Sequence, residues 1–272
     1  DANPLDSFVL DELNKAQLKP NSPATRQQLI RRAYYGLIGL PPTLQEVEAF
    51  ERDSSPNAFE KVLDHLLALP QYGEKWGRHW LDLVRYAETN GYERDGPKPE
   101  AWRYRDYIIN AFNQDKPYDQ FVRWQVAGDE IAPNDPLALS ATGFLGAGVF
   151  PTQLTEKEFE SARYDELDDM ANTTGMAFLA LTIGCARCHD HKFDPIATKD
   201  YYRLTSTFGL TIRSEIDAPM DTQQYRDGLA KWEKERKPLL VARETFEREE
   251  LPKRFDNWLN DPDVKTTSAS VW

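Results

Sequence analysis

Apolar residues recur at every third or fourth position along most of this chain, and prolines cut that rhythm into helix-length pieces. Leu5, Phe8, Val9, Leu13 and Leu18 mark an opening helix that ends at Pro20. Residues 25–37 form a second, with Leu29, Ala33 and Leu37 on one face and Arg31 and Arg32 turned away. After Leu40-Pro41-Pro42, Thr43 is placed to cap a new helix, and Glu46 completes a capping box. Residues 59–69 repeat the amphipathic pattern up to Pro70. In residues 73–88, Trp76, His79, Trp80, Leu83 and Val84 share one stripe, which predicts that His79 points inward. Helices are expected near 102–112, 118–126, 156–181 and 200–208, with Gly- and Pro-rich connections between them. No strand pair and no internal repeat stands out. The pattern predicts a mainly α fold.

A 40% share of hydrophobic residues supplies a sizeable core and excludes wholesale disorder. Lys and Arg total 33 against 45 Asp and Glu, a net charge of −12, which repels phosphate backbones and anionic lipid. Nucleic acid is therefore not an expected partner, and no apolar run approaches the roughly 20 residues of a membrane span. Composition divides the chain into a helical domain at 1–215, a charged arm at 216–262 and the start of a truncated region at 263–272. The arm carries a narrow apolar stripe and is expected as a surface hairpin or coiled-coil-like extension, interrupted at Pro238 and Pro252.

Two cysteines are too few for a disulfide scaffold, but both fall in Gly184-Cys185-Ala186-Arg187-Cys188-His189-Asp190-His191. Cys-x-x-Cys-His is the attachment signature of c-type haem. Thiols at that spacing on a tight turn reach the two vinyl groups of one porphyrin, and the next residue, His189, is set beneath the iron as its proximal ligand. Three alternatives stand beside haem c. A thioredoxin-like pair needs a βαβ context, a zinc site needs further ligands beyond Cys185, Cys188, His189 and His191, and a plain disulfide leaves His189 unexplained. Because c-type attachment takes place outside the cytoplasm, the haem reading implies a periplasmic or otherwise exported protein.

Further strings carry a family resemblance. They include Gly39-Leu40-Pro41-Pro42-Thr43, Tyr72-Gly73-Glu74-Lys75-Trp76-Gly77-Arg78-His79-Trp80, Arg85-Tyr86-Ala87-Glu88 and Trp102-Arg103-Tyr104-Arg105-Asp106-Tyr107. Arg163-Tyr164-Asp165-Glu166-Leu167-Asp168-Asp169, leading into residues 184–196, is the strongest. Over about residues 5–210 the chain resembles the planctomycete-type domain of unknown function that follows planctomycete cytochrome c domains in large secreted proteins. Gly36 stands where such domains commonly carry Asp, and Glu88 replaces a usual Asp. The resemblance implies export and supplies no reaction.

Opposite a haem on His189, His79 is the favoured distal ligand or acid/base, with Met170, Met176 and Met220 as other axial candidates. Met170 and Met176 also suit core packing, His191 suits a hydrogen bond to a propionate or carbonyl, and His65 a structural or surface place. Asp165, Glu166, Asp168 and Asp169 lie close along one helix. Either a hard cation such as Ca²⁺ joins them, or arginines do, with Arg78, Arg85, Arg103 and Arg105 expected on the buried side. Electron transfer to a redox partner, such as another cytochrome c domain, is the leading function. The alternatives are a haem-dependent oxidoreductase acting on carbohydrate through His79, Arg78, Tyr86 and Asp165, and a non-redox, zinc-stabilised module for sulfated polysaccharide.

Overall fold

The computed structural model describes residues 3–214 and 222–261. Its elements are helices, and no named strand occurs among the described residues. Two compact units emerge, residues 3–133 with 137–214, and residues 134–136 with 222–261. Residues 263–272 and Met220 lie outside the described residues.

The first unit opens with α1 (Pro4–Lys15), none of whose residues is buried. Next come α2 (Arg26–Leu37), α3 (Leu44–Arg52) and α4 (Ala58–Leu67), which enclose a small core of Ile30, Ala33, Tyr34, Phe50 and Leu66. Arg31 and Arg32 are exposed, as their positions on α2 require. Thr43 and Glu46 form the expected capping box, and Thr25 with Gln28 forms a second at the start of α2.

A larger core follows, built from α5 (Pro70–Leu83), α6 (Trp102–Asn113), α7 (Tyr118–Ile131), two short helices α8 (Pro136–Ala141) and α9 (Gly143–Gly146), and the long α10 (Phe159–Leu179). At its centre Gln125 is fully buried. Its amide oxygen accepts from Trp80 Nε1 at 2.9 Å and Tyr104 Oη at 2.7 Å, and its amide nitrogen donates to the Phe121 carbonyl at 3.1 Å. Buried polar groups satisfied in this way favour one arrangement of the helices over others.

The packing of α5 corrects the inward reading of His79. The residues of α5 buried against α6 are Gly73 and Gly77, not the bulky Trp76/His79/Leu83 side. A Cβ on Gly73 would collide with the Ile109 carbonyl oxygen and stand 2.7 Å from the Asn113 side chain, so the two backbones touch there only because the residue is glycine. Trp80 and Val84 continue that inner face, while His79 lies about half a turn away, exposed and packed on the Trp76 ring at 5.4 Å.

A 3₁₀ turn (Ile183–Arg187) and α11 (Thr198–Thr207) complete this unit. In the second unit α12 (Thr222–Thr245), a π turn (Phe246–Glu250) and α13 (Leu251–Leu259) follow one another without a reversal, so the hairpin alternative is not formed. Pro238 lies inside α12, and Pro252 sits just after the π turn at the start of α13. The expected interruption at Pro238 is absent. The carbonyls freed by a proline can be hydrated on so exposed a helix.

Candidate functional site

The two cysteines sit on the 3₁₀ turn and at its end. With three residues per turn, side chains three apart eclipse one another. Ile183 and Ala186 therefore share the inner face, 4% and 0% exposed, while Cys185 and Cys188 share the outer face as free, exposed thiols. The turn beds closely on α10. A Cβ on Gly184 would stand 2.7 Å from Asn172 Nδ2, so a larger residue here would have to displace that side chain.

His189 is exposed, and its Nδ1 lies 2.7 Å from the Asp190 carbonyl oxygen. A carbonyl only accepts, so Nδ1 carries the proton and Nε2 keeps a free lone pair. Metal-ligating histidines are usually held in this tautomer. His191 differs. Its side chain is only 4% exposed, and its Nδ1 accepts from the Asp194 and Phe193 amides at 2.9 and 3.3 Å. The proton then sits on Nε2, 3.3 Å from Thr182 Oγ1. His191 shapes the loop with both ring nitrogens engaged. His65 is exposed on α4, as expected.

Arginines join the four carboxylates of α10. Arg187, between the two cysteines, reaches Asp168 at 3.1 Å and Asp165 at 3.2 Å. Tyr201 Oη donates to the other oxygen of Asp168. Asp169 takes a two-pronged pair from Arg85, and Glu166 is clasped by Arg163 at 2.6 Å and Arg213 at 3.1 Å. Of the arginines expected here only Arg85 takes part. Arg78 is exposed, Arg103 pairs with Glu100, and Arg105 pairs with Glu88 and Asp106. Among the described residues no group of three or more His, Cys, Asp or Glu gathers where one metal ion could be held.

The family model for PSCyt2, protein of unknown function DUF1549, matches residues 4–212. The chain belongs to this family. No curated protein and no solved structure matches it. The PSCyt2 match includes the Cys185–His189 turn and everything that holds it, and it leaves α12 and α13 outside.

Beside the turn, the PSCyt2 domain carries a cleft of about 560 Å³ between α10 and the loops at 92–94 and 149–154. Asp165, Asp168, Asp169, Asn172, Thr173 and Met176 form its floor at helical spacing. Met170 is buried in the core as a packing residue, whereas Met176 is 43% exposed in the cleft. Of the four residues expected to handle substrate, Asp165 lines this cleft. Tyr86, Arg78 and His79 do not. Tyr86 instead donates to Glu88 at 3.2 Å.

Lys98 escaped the sequence reading altogether. Its Nζ donates to the Ala147 and Gly148 carbonyls at 2.9 and 2.7 Å. Burial first, and then Arg213 and Arg85, push its pKa down to about 8 from 10.5. Between those values the unfolded chain holds a proton that the folded chain has lost, so stability rises with pH. Tyr86 and Tyr201 act in the opposite sense above pH 10. Burial, then Glu88 or Asp168, raises each to about 12, so the folded form keeps protons that the unfolded form loses. The melting temperature is expected to climb between pH 8 and 10 and then fall. In a Lys98→Met variant the climb should vanish while the fall remains.

Proposed function

We propose that this chain is an exported c-type haem protein acting in electron transfer. Cys185 and Cys188 are the attachment thiols and His189 the proximal ligand. The observation carrying this reading is the outward pairing of both thiols on one face of the 3₁₀ turn, followed at once by a histidine with a free Nε2. Each S–H adds across one vinyl C=C, sulfur to one carbon and hydrogen to the other, so attachment consumes no oxidant. When bound, the haem supplies a one-electron couple.

The residues present fit such a group. Neither thiol is committed to a disulfide, and the Asp190 carbonyl orients the ring of His189. Thr198 N donates to Asp190 Oδ1 at 2.9 Å, which fixes that carbonyl's residue to the start of α11. A zinc reading has less support, because both nitrogens of His191 are engaged, one by the Asp194 amide and the other beside Thr182. Export follows from the chemistry of c-type attachment. The charge of −12 favours a neutral or basic redox partner, such as another cytochrome c domain. No helix among the described residues is long and apolar enough to cross a membrane.

Protein made alongside c-type maturation machinery is expected to give a c-type pyridine haemochrome that survives acid–acetone extraction. A colourless protein, or one whose haem is extracted by the solvent, would overturn the assignment.

A further inference from the structure

The carboxylates on the floor of the cleft along α10 are held by arginines. Asp165, Asp168 and Asp169 are joined to Arg187 and Arg85, and Glu166 to Arg163 and Arg213. At the wall, Glu158 accepts from the Thr155 amide and hydroxyl at 2.8 and 2.7 Å. Glu93 and Arg94 line the cleft as exposed residues of the facing loop. Each floor carboxylate therefore meets a ligand with an arginine already beside it.

Neutral polar groups there remain uncommitted. Thr173 is only 2% exposed and lines the cleft, yet its hydroxyl has no hydrogen-bond partner among the described residues. Its neighbour Thr174 shows the ordinary alternative, returning its hydroxyl to the Met170 carbonyl at 2.7 Å. Asn172, one residue before, and Gln153 on the facing loop also line the cleft with amides that bond to none of the described residues. The Thr173 hydroxyl is thus free to bond a molecule that enters the cleft.

The backbone shapes the same wall. Arg85 and Tyr92, both lining the cleft, hold left-handed φ values of 51° and 60°. Arg85 occupies the position after α5 where glycine is the usual residue, as the Tyr86 N to Leu81 O bond of 2.9 Å shows. Tyr92, 57% exposed, adds an aromatic face at the mouth.

We infer that this cleft is a binding site for a neutral, polyhydroxylated molecule of mono- or disaccharide size. Hydroxyl groups both donate and accept, which matches two amides, one hydroxyl and the spare lone pairs of carboxylates already neutralised by arginine. A volume of about 560 Å³ falls within the usual range of small-ligand clefts. A sulfate on the floor is disfavoured, because Arg85 there is already held by Asp169. This site does not depend on haem attachment, and the proposed electron-transfer role does not depend on the site.

The test is ligand-observed NMR on the full chain with glucose, galactose, xylose, N-acetylglucosamine and cellobiose as probes, and with a sulfated chondroitin disaccharide and putrescine as comparisons. At least one neutral sugar is expected to bind saturably, and both Thr173→Val and Gln153→Ala are expected to weaken it about five- to tenfold. Thr173→Val keeps the buried shape, and Gln153 is exposed, so the second variant reports even if the first folds poorly. Binding by none of the neutral sugars, binding indifferent to both substitutions, or binding of the sulfated disaccharide or putrescine alone would overturn the proposal.

Discussion

Replacing Glu166 by alanine is expected to lower the unfolding free energy by about 3 kcal/mol. The side chain is 6% exposed and holds Arg163 and Arg213, which are 30% and 24% exposed. Removing the carboxylate strands two partly buried guanidinium groups, and Arg213 already carries one buried nitrogen without a partner. The usual cost of breaking a buried pair is roughly 3–5 kcal/mol. The lower end applies because both arginines keep some contact with water. Arg163 also donates to the Phe208, Gly209 and Thr211 carbonyls, so its anchor secures the chain leaving α11. A fall in melting temperature of roughly 10 °C should follow. Glu166→Gln, which keeps the shape and two hydrogen-bonding atoms, should lose less. A Glu166→Ala protein as stable as the parent would show that the clasp contributes nothing.

Loosening of the cysteine turn is the second large effect expected. Asp168 is 21% exposed and binds both Arg187 and Tyr201, whereas Asp165 is 62% exposed and binds Arg187 alone. Solvent screening leaves the outer pair with little energy and gives the inner one most of the grip. Asp168→Ala should speed amide hydrogen exchange across residues 183–188 about tenfold, and Asp165→Ala should change it little. Equal effects from the two substitutions would contradict this division. The measurement needs no haem. It reports only on how the turn is held, and so separates a failure of docking from a failure of attachment.

Local features were legible from the amino acids. The capping box at Thr43 and Glu46 spans three residues and depends on nothing distant. The repulsion of like charges one turn apart called for either a hard cation or arginines beside the α10 carboxylates, and ion pairs with arginines are present. The identity of those arginines was less accessible. Arg187 and Arg213 come from chain that folds back over α10, and Arg163 had been noted only within a family string. The orientation of α5 misled for a definite reason. Periodicity weights bulky apolar residues, while the contact with α6 is made by Gly73 and Gly77, which carry almost no hydrophobic signal. The cleft was invisible for a similar reason, since the loops at 92–94 and 149–154 have no periodic pattern. The Cys-x-x-Cys-His string was plain to read. Its presentation on an outward 3₁₀ face, with Ile183 and Ala186 beneath, required coordinates.

The central claim concerns a covalent bond, so the mass of the denatured polypeptide tests it most directly. After production with c-type maturation machinery, the parent chain should be heavier than its bare sequence by one haem. The Cys185→Ser/Cys188→Ser double variant should run at the bare mass, and each single variant should carry at most one thioether. A parent chain found only at the mass of its bare sequence would contradict the haem assignment.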